Sequence, residues 1–244
     1  KALEAEAELA LVGLEAATPL FHGRVDGGRS GLRGVGGEVR PLPFSSVWLA
    51  TGATHSQSLE AWFMHVPGLK VIVPSTPRDA KGLLTSAIFD PDPCLFIETI
   101  RLQGIKGPVP ADPGFSIPLG RIDIKRPGTD VSLIAYGRGV HDALAAAETL
   151  AAEHGVSAEV VDLRTLVPLD VDGLVESVGR TRRAVIAHHA VQFAGPGAEV
   201  AAILHAQLFG RLEAPVERVG GSFVPTPAAA ELEAAALPTP QRVV

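Results

Sequence analysis

The chain has 244 residues, with 21 Lys plus Arg against 27 Asp plus Glu, a net charge of −6. That balance excludes a general nucleic-acid binder, which needs a basic surface to replace phosphate counterions. Hydrophobic residues make up 46% and charged residues 20%, which excludes a disordered chain and supplies enough apolar side chains for a real core. The single cysteine, Cys94, excludes an intrachain disulfide. No apolar run approaches the ~20 residues of a membrane span. The opening Lys1–Ala10 alternates Glu with Ala, unlike a signal peptide, and a first residue other than Met reads as a processed or partial chain.

Residues 3–17 are strong helix formers, with Leu3, Ala7, Ala10, Leu11 and Leu14 at helical spacing. Residues 22–40 hold seven glycines and four arginines, a density that no regular element fits, and read as a loop. A short strand at Val47–Ala50 leads to a polar turn at Thr51–Ser58. A short helix is predicted over 58–65, capped by Ser58 and broken at Pro67–Gly68. A buried strand at 69–73, a helix over 77–89 with Pro77 at its first position, and a strand at 94–98 make a parallel, right-handed βαβ unit.

Residues 106–128 carry Pro108, Pro110, Pro113, Pro118 and Pro127 and read as a linker between two separately packed units. Beyond it, strands at 130–136, 157–163, 183–188 and 216–219 alternate with helices at 139–154, 170–179, 196–209 and near 228–235. This alternation predicts a doubly wound, mostly parallel sheet. Val131, Leu133, Ile134, Val160, Val161, Val185 and Ile186 should lie in its core, and functional groups beyond the carboxyl ends of its strands.

Two stretches are more specific than generic α/β sequence. One is HSQSLEAWFMHVPGLKVIVPSTPRDAKGLLTSAIFDPDPCLFIE, from His55 to Glu98. The other begins GTDVSLIAYGRGVHDALAAAE and continues through AEVVDLRTLVPLD to APVERV and LPTPQRVV. Together they resemble the β subunits of thiamine-diphosphate-dependent 2-oxo acid dehydrogenases (pyruvate, branched-chain and acetoin types) of the transketolase superfamily, over about residues 45–244. The resemblance implies two doubly wound α/β units. Residues 1–105 would be a truncated or divergent pyrimidine-binding-type domain, 106–128 the linker, and 129–244 a transketolase C-terminal-type domain. Ala7–Ala16 resembles the family's Ala-Glu pair opening an apolar helix, and the Gly/Arg-rich stretch stands where the family has a strand and a long helix.

The resemblance also implies site residues. Glu8 matches the glutamate that hydrogen-bonds the aminopyrimidine ring of thiamine diphosphate; a solvated helix-surface glutamate is the competing reading. His55 matches a cofactor-facing histidine that moves protons during acyl transfer to lipoyl; the competing reading is a turn histidine. Ser56 and Gln57 would orient it. The turn containing Ala87, Asp90 and Asp92 matches a potassium site, against an ordinary capping turn. Arg164 pairs across a subunit interface or lies on the surface. His65 and Cys94 read as structural, and His188 and His189, adjacent on a strand, point to opposite faces.

The implied function is decarboxylation of a 2-oxo acid, pyruvate first, with acyl transfer to a lipoyl domain. The implied partners are an α subunit that holds Mg²⁺ and the diphosphate, a second β subunit, and a lipoyl-bearing acyltransferase core. Neither nucleic acid nor a membrane is a partner. The implied location is a bacterial-type cytoplasm or a mitochondrial matrix. The alternative is a non-catalytic structural or regulatory subunit with a decayed first domain.

Overall fold

The computed structural model describes residues 57–227 and 229–244 in full, and before them the backbone of three strands. Two of these, β1 (Gly31–Arg33) and β2 (Val39–Pro41), form an antiparallel pair. The helix predicted at 3–17 and the turn at 51–56 lie outside the described residues.

The first sheet has the order β3-β5-β4-β9. Its strands β3 (Phe44–Leu49), β4 (Lys70–Ile72) and β5 (Cys94–Thr99) run parallel, with Val71 opposite Leu95. Helix α1 (Glu60–Met64) precedes β4, and α2 (Pro77–Phe89) crosses from β4 to β5. The α2 start has the predicted chemistry. Thr76 accepts the Asp79 backbone N–H at 3.1 Å, and Pro77 fills a position that needs no donor. Helix α1 is shorter than predicted. It begins after Leu59, which makes no side-chain cap, so Ser58 lies outside it.

The second sheet has the order β11-β10-β7-β8-β6. Strands β7 (Val131–Ala135), β8 (Ala158–Asp162), β10 (Ala184–Val191) and β11 (Glu217–Gly221) are parallel. Helices α3 (Arg138–His154), α4 (Val171–Thr181) and α5 (Pro196–Gln207) connect them, and α6 (Ala230–Ala236) and α7 (Pro240–Val243) close the chain. Strand β10 runs three residues past its predicted end, because Val191 pairs with Gly221 beyond a bulge. Of the expected core, Leu133, Ile134, Val160, Val161 and Ile186 are fully buried, while Val131 and Val185 are partly so.

Two strands escape the sequence pattern, and both bind the halves together. Strand β6 (Asp123–Arg126) lies inside the stretch 106–128 and pairs antiparallel with β8. Its sequence, DIKR, has one apolar residue and ends at a proline, so it reads as linker; only an edge strand can be so polar. Strand β9 (Thr165–Val167), three residues from the second half, pairs antiparallel with β4 at the edge of the first sheet. The two sheets therefore share one large core cluster, although each also keeps a smaller cluster of its own. Val71, Val73, Leu95 and Ile97 of the first pack in one cluster with Ile134, Val161, Leu163, Leu166 and Ile186 of the second half.

A shared core predicts one unfolding transition. Leu166→Ala on β9, buried in that cluster, should cost about 3 kcal/mol. In urea, secondary structure and tryptophan fluorescence should move together in the wild type and the variant. Two resolved transitions would contradict a common core.

Candidate functional site

Glu8 and His55 lie outside the described residues. The described continuation of the His55 motif opens directly on a groove of about 990 Å³ at the carboxyl ends of the strands. Gln57, Ser58, Trp62 of α1, His65 just beyond it, His189 and Phe193 line it. Trp62, Phe193 and Phe223 are 71%, 70% and 76% exposed. The rings of Phe193 and Phe223 lie 5.0 Å apart in a tilted arrangement, within the range of favourable aromatic pairing. His65 is exposed and lines this groove. Helix α1 divides its faces accordingly, since Phe63 and Met64 pack on the common core.

The adjacent histidines on β10 take opposite faces, as the pleat requires. His188 is fully buried. Its Nδ1 donates to the Ala190 carbonyl at 3.0 Å, and its Nε2 accepts the Gly197 N–H at 3.2 Å. Burial pushes this imidazole down to about 4, so it stays neutral and structural. Residue 197 must be glycine, because a Cβ there would meet His188 Nε2 at 2.6 Å. His189 turns toward the groove, and its Nε2 donates to Asp142 Oδ2 at 2.7 Å. Asp142, on α3, also meets Arg138 Nε at 3.4 Å. The imidazole is thus held in one orientation at the groove wall. Asp142 went unread in the sequence because an acid on a helix signals nothing by itself.

A largely buried charge cluster joins the two sheets. Lys125 Nζ of β6 is 2.5 Å from Asp79 of α2, 2.8 Å from Asp123 and 3.3 Å from Asp162 of β8. Arg164 Nη2 is 2.7 Å from Asp79 and 2.8 Å from Asp123. Ser75, following β4, donates to Asp162, and its carbonyl accepts from His141 Nε2 at 2.8 Å. Arg164 is therefore not exposed; its burial against Asp79 corrects the surface reading. Burial tends to raise the Asp79 carboxyl, but Lys125, Thr76 and Arg164 outweigh it and hold the group below the usual carboxylate range. For Asp162 burial prevails over the pull of Lys125, and its carboxyl is raised.

At the end of α2, the Asp90 N–H reaches the Ala87 carbonyl at 3.4 Å, and the Asp92 N–H donates to Asp90 at 3.0 Å. The Lys70 ammonium lies 2.5 Å from Asp90 and 3.1 Å from Asp92. Cys94 is buried in β5, its thiol pushed up to about 11 by burial above all, and is packing rather than chemistry. Among the described residues, no three His, Cys, Asp or Glu side chains converge as metal ligands, and no helix is long and apolar enough to cross a membrane.

Two sheets with polar groups gathered at their carboxyl ends define an α/β protein of the kind that binds ligands where strand ends face one another. Residues 49–103 match the family description "Transketolase, pyrimidine binding domain" and residues 120–243 match "Transketolase, C-terminal domain". The chain belongs to the transketolase family. It is 45% identical over 196 residues to "Pyruvate dehydrogenase E1 component subunit beta-2, mitochondrial" of rice, covering 79% of this chain and 52% of that protein. It is 46% identical over 191 residues to "Acetoin:2,6-dichlorophenolindophenol oxidoreductase subunit beta" of Cupriavidus necator, covering 78% of this chain and 56% of that one. It spans about half the length of these curated relatives. A solved split-gene transketolase, described as an inactive β4 tetramer, superposes with a TM-score of 0.68 at 26% identity, over 82% of this chain and 64% of its own.

The charge cluster carries a signed prediction. A carboxyl held below its unfolded value stabilises the fold above that value, and the stabilisation is lost as pH falls through the folded pKa. Asp79→Asn should therefore destabilise the chain by about 3 kcal/mol at pH 7. The gap to wild type should narrow as the pH drops below the ordinary 3.8 of an aspartate. Urea midpoints from pH 7 to pH 3 measure this; a gap independent of pH would remove the ion pairs as its cause.

Proposed function

We propose that this chain is the β component of a heteromeric, thiamine-diphosphate-dependent 2-oxo acid dehydrogenase. Pyruvate ranks first as substrate, ahead of branched-chain 2-oxo acids and acetoin. The observation that supports this best is the continuation of the His55 motif into a broad, aromatic-walled groove at the carboxyl ends of the strands, in a chain 45% identical to a pyruvate dehydrogenase E1 β subunit. We take residues 1–105 and 129–244 as the pyrimidine-binding-type and C-terminal-type units, meeting through the shared core.

The residues at this end fit the uncharged part of the cofactor. Trp62, Phe193 and Phe223 offer flat apolar faces, while the diphosphate and Mg²⁺ fall to an α component, since the 244 residues hold no Gly-Asp-Gly metal motif and carry net charge −6. When bound, thiamine diphosphate supplies a thiazolium that stabilises a carbanion. Glu8 would hold a proton at the aminopyrimidine ring, and His55 would move one during acyl transfer to lipoyl. Gln57, exposed beside it, would orient His55. A potassium ion at Ala87, Asp90 and Asp92 would share those carboxylates with Lys70. A second β chain and a lipoyl-bearing acyltransferase complete the assembly, in a bacterial cytoplasm or a mitochondrial matrix.

The competing reading is a non-catalytic structural subunit, and the solved relative described as an inactive β4 tetramer is what favours it. Co-expression with a cognate α component separates the two. The complex should decarboxylate pyruvate with an artificial electron acceptor, and Glu8→Gln should cut turnover at least ~100-fold without loss of assembly. His55→Ala should slow acetyl transfer to a lipoyl domain more than it slows the dye reaction. No turnover with any of the three substrates by an intact, cofactor-loaded complex would establish the structural reading.

A further inference from the structure

A second, much smaller cavity lies where α1, the end of β5 and the start of α3 meet. It encloses about 20 Å³, room for one water-sized body. Glu60, Thr99, Tyr136 and Glu233 lie on its wall, with Arg138 and His189. Glu60 is 3% and Tyr136 4% exposed. Glu60 Oε2, Tyr136 Oη and Glu233 Oε1 are each buried without a hydrogen-bond partner among the described residues, but Glu233 Oε1 has Arg101 as an ion-pair partner at 2.8 Å, which leaves Glu60 and Tyr136 with none. Two orphaned oxygens from the two halves of the chain, on the wall of one cavity, are costly unless something occupies it.

Charge identifies what that is. Glu233 is matched by Arg101 at 2.8 Å, Arg138 by Asp142, and His189 is held by the same Asp142. Among the described residues lining the cavity, Glu60 is the carboxylate with no cation against it. A lone water would leave that charge uncompensated. A divalent ion would exceed it and needs more carboxylates than converge here. We propose that this cavity binds one small monovalent cation, of sodium or potassium size, through Glu60 Oε2 and Tyr136 Oη. The Thr99 hydroxyl is the next oxygen on the wall. The site is separate from the Ala87–Asp92 turn and does not depend on the reading of function above.

A proton is the competing occupant. Burial pushes the Glu60 carboxyl up to about 7, so proton and metal ion exchange near neutral pH, and the cation binds better as pH rises. Burial and then the Glu60 charge raise Tyr136 well above 10, so its hydroxyl stays protonated and offers a lone pair.

The test measures thermal midpoints of the full chain carrying Asp90→Asn and Asp92→Asn, which remove the carboxylates of the other cation site, at constant ionic strength, in potassium or sodium chloride against tetramethylammonium chloride, whose cation is too large for the cavity. At pH 8 the small cations should raise Tm by about 3 °C, as expected for a site occupied at ten times its Kd. At pH 5 the shift should vanish. In that background Glu60→Gln should abolish the shift, and Tyr136→Phe should reduce it. Crystals soaked in rubidium should show an anomalous peak beside Glu60 and Tyr136, a readout that needs no folded variant. No shift in the Asp90 and Asp92 variant, a shift there that persists when Glu60→Gln is added, or a cavity holding water without rubidium would each overturn the site.

Discussion

The structure depends on a group of charges taken out of water. Asp79, Asp162, Arg164 and Lys125 lie within 2.5–3.3 Å of their partners and are almost wholly shielded. Desolvating such ions costs several kcal/mol each, and only close, multiply paired geometry offsets that cost. The members come from four places: the first turn of α2, strand β6, the end of β8, and the turn into β9. Each must arrive together with the others, so the cluster specifies one arrangement of the two sheets. Arg164 adopts a left-handed backbone, with φ of 58°, which non-glycine residues rarely do. The same turn sends the chain from β8 across to pair with β4.

That arrangement sets the functional end of the molecule. With β9 on the first sheet, the carboxyl ends of β4 and β5 face those of β7 and β10. Gly137, with φ of 52°, lets α3 start directly behind Val73, where a Cβ would be 3.0 Å from its side chain. The groove and the small cavity both open along this seam. His188 and His189 show how one strand serves both needs. The first is consumed by backbone bonds beneath Gly197, and the second is aimed by Asp142 into the groove.

Much of this fold was legible in the sequence. The alternation from Val131 to Leu208 is strong because each parallel strand is buried on both faces and reads as an apolar run. Thr76–Pro77 announced α2 by its chemistry. Strands β6 and β9 were not legible, since a polar edge strand and a three-residue strand before a proline carry no periodic signal. Arg164 was misplaced because burial of a charge depends on partners far away in the chain, here Asp79 and Asp123, which local pattern cannot reveal. The site divides in the same way. Glu8 and His55 rest on family resemblance. The groove-facing role of His65, the Asp142–His189 pair and the isolation of Glu60 emerge only when distant elements meet.

The buried charges couple the two sheets, and a double-mutant cycle between Asp79 and Arg164 measures that coupling. Asp79→Asn, Arg164→Met and the double variant are compared with wild type by urea unfolding at pH 7. The coupling should reach at least ~1.5 kcal/mol, with the double variant more stable than the two single losses sum to. A coupling within ~0.5 kcal/mol of zero would show that these charges are merely buried side by side, and that the shared core alone joins the sheets.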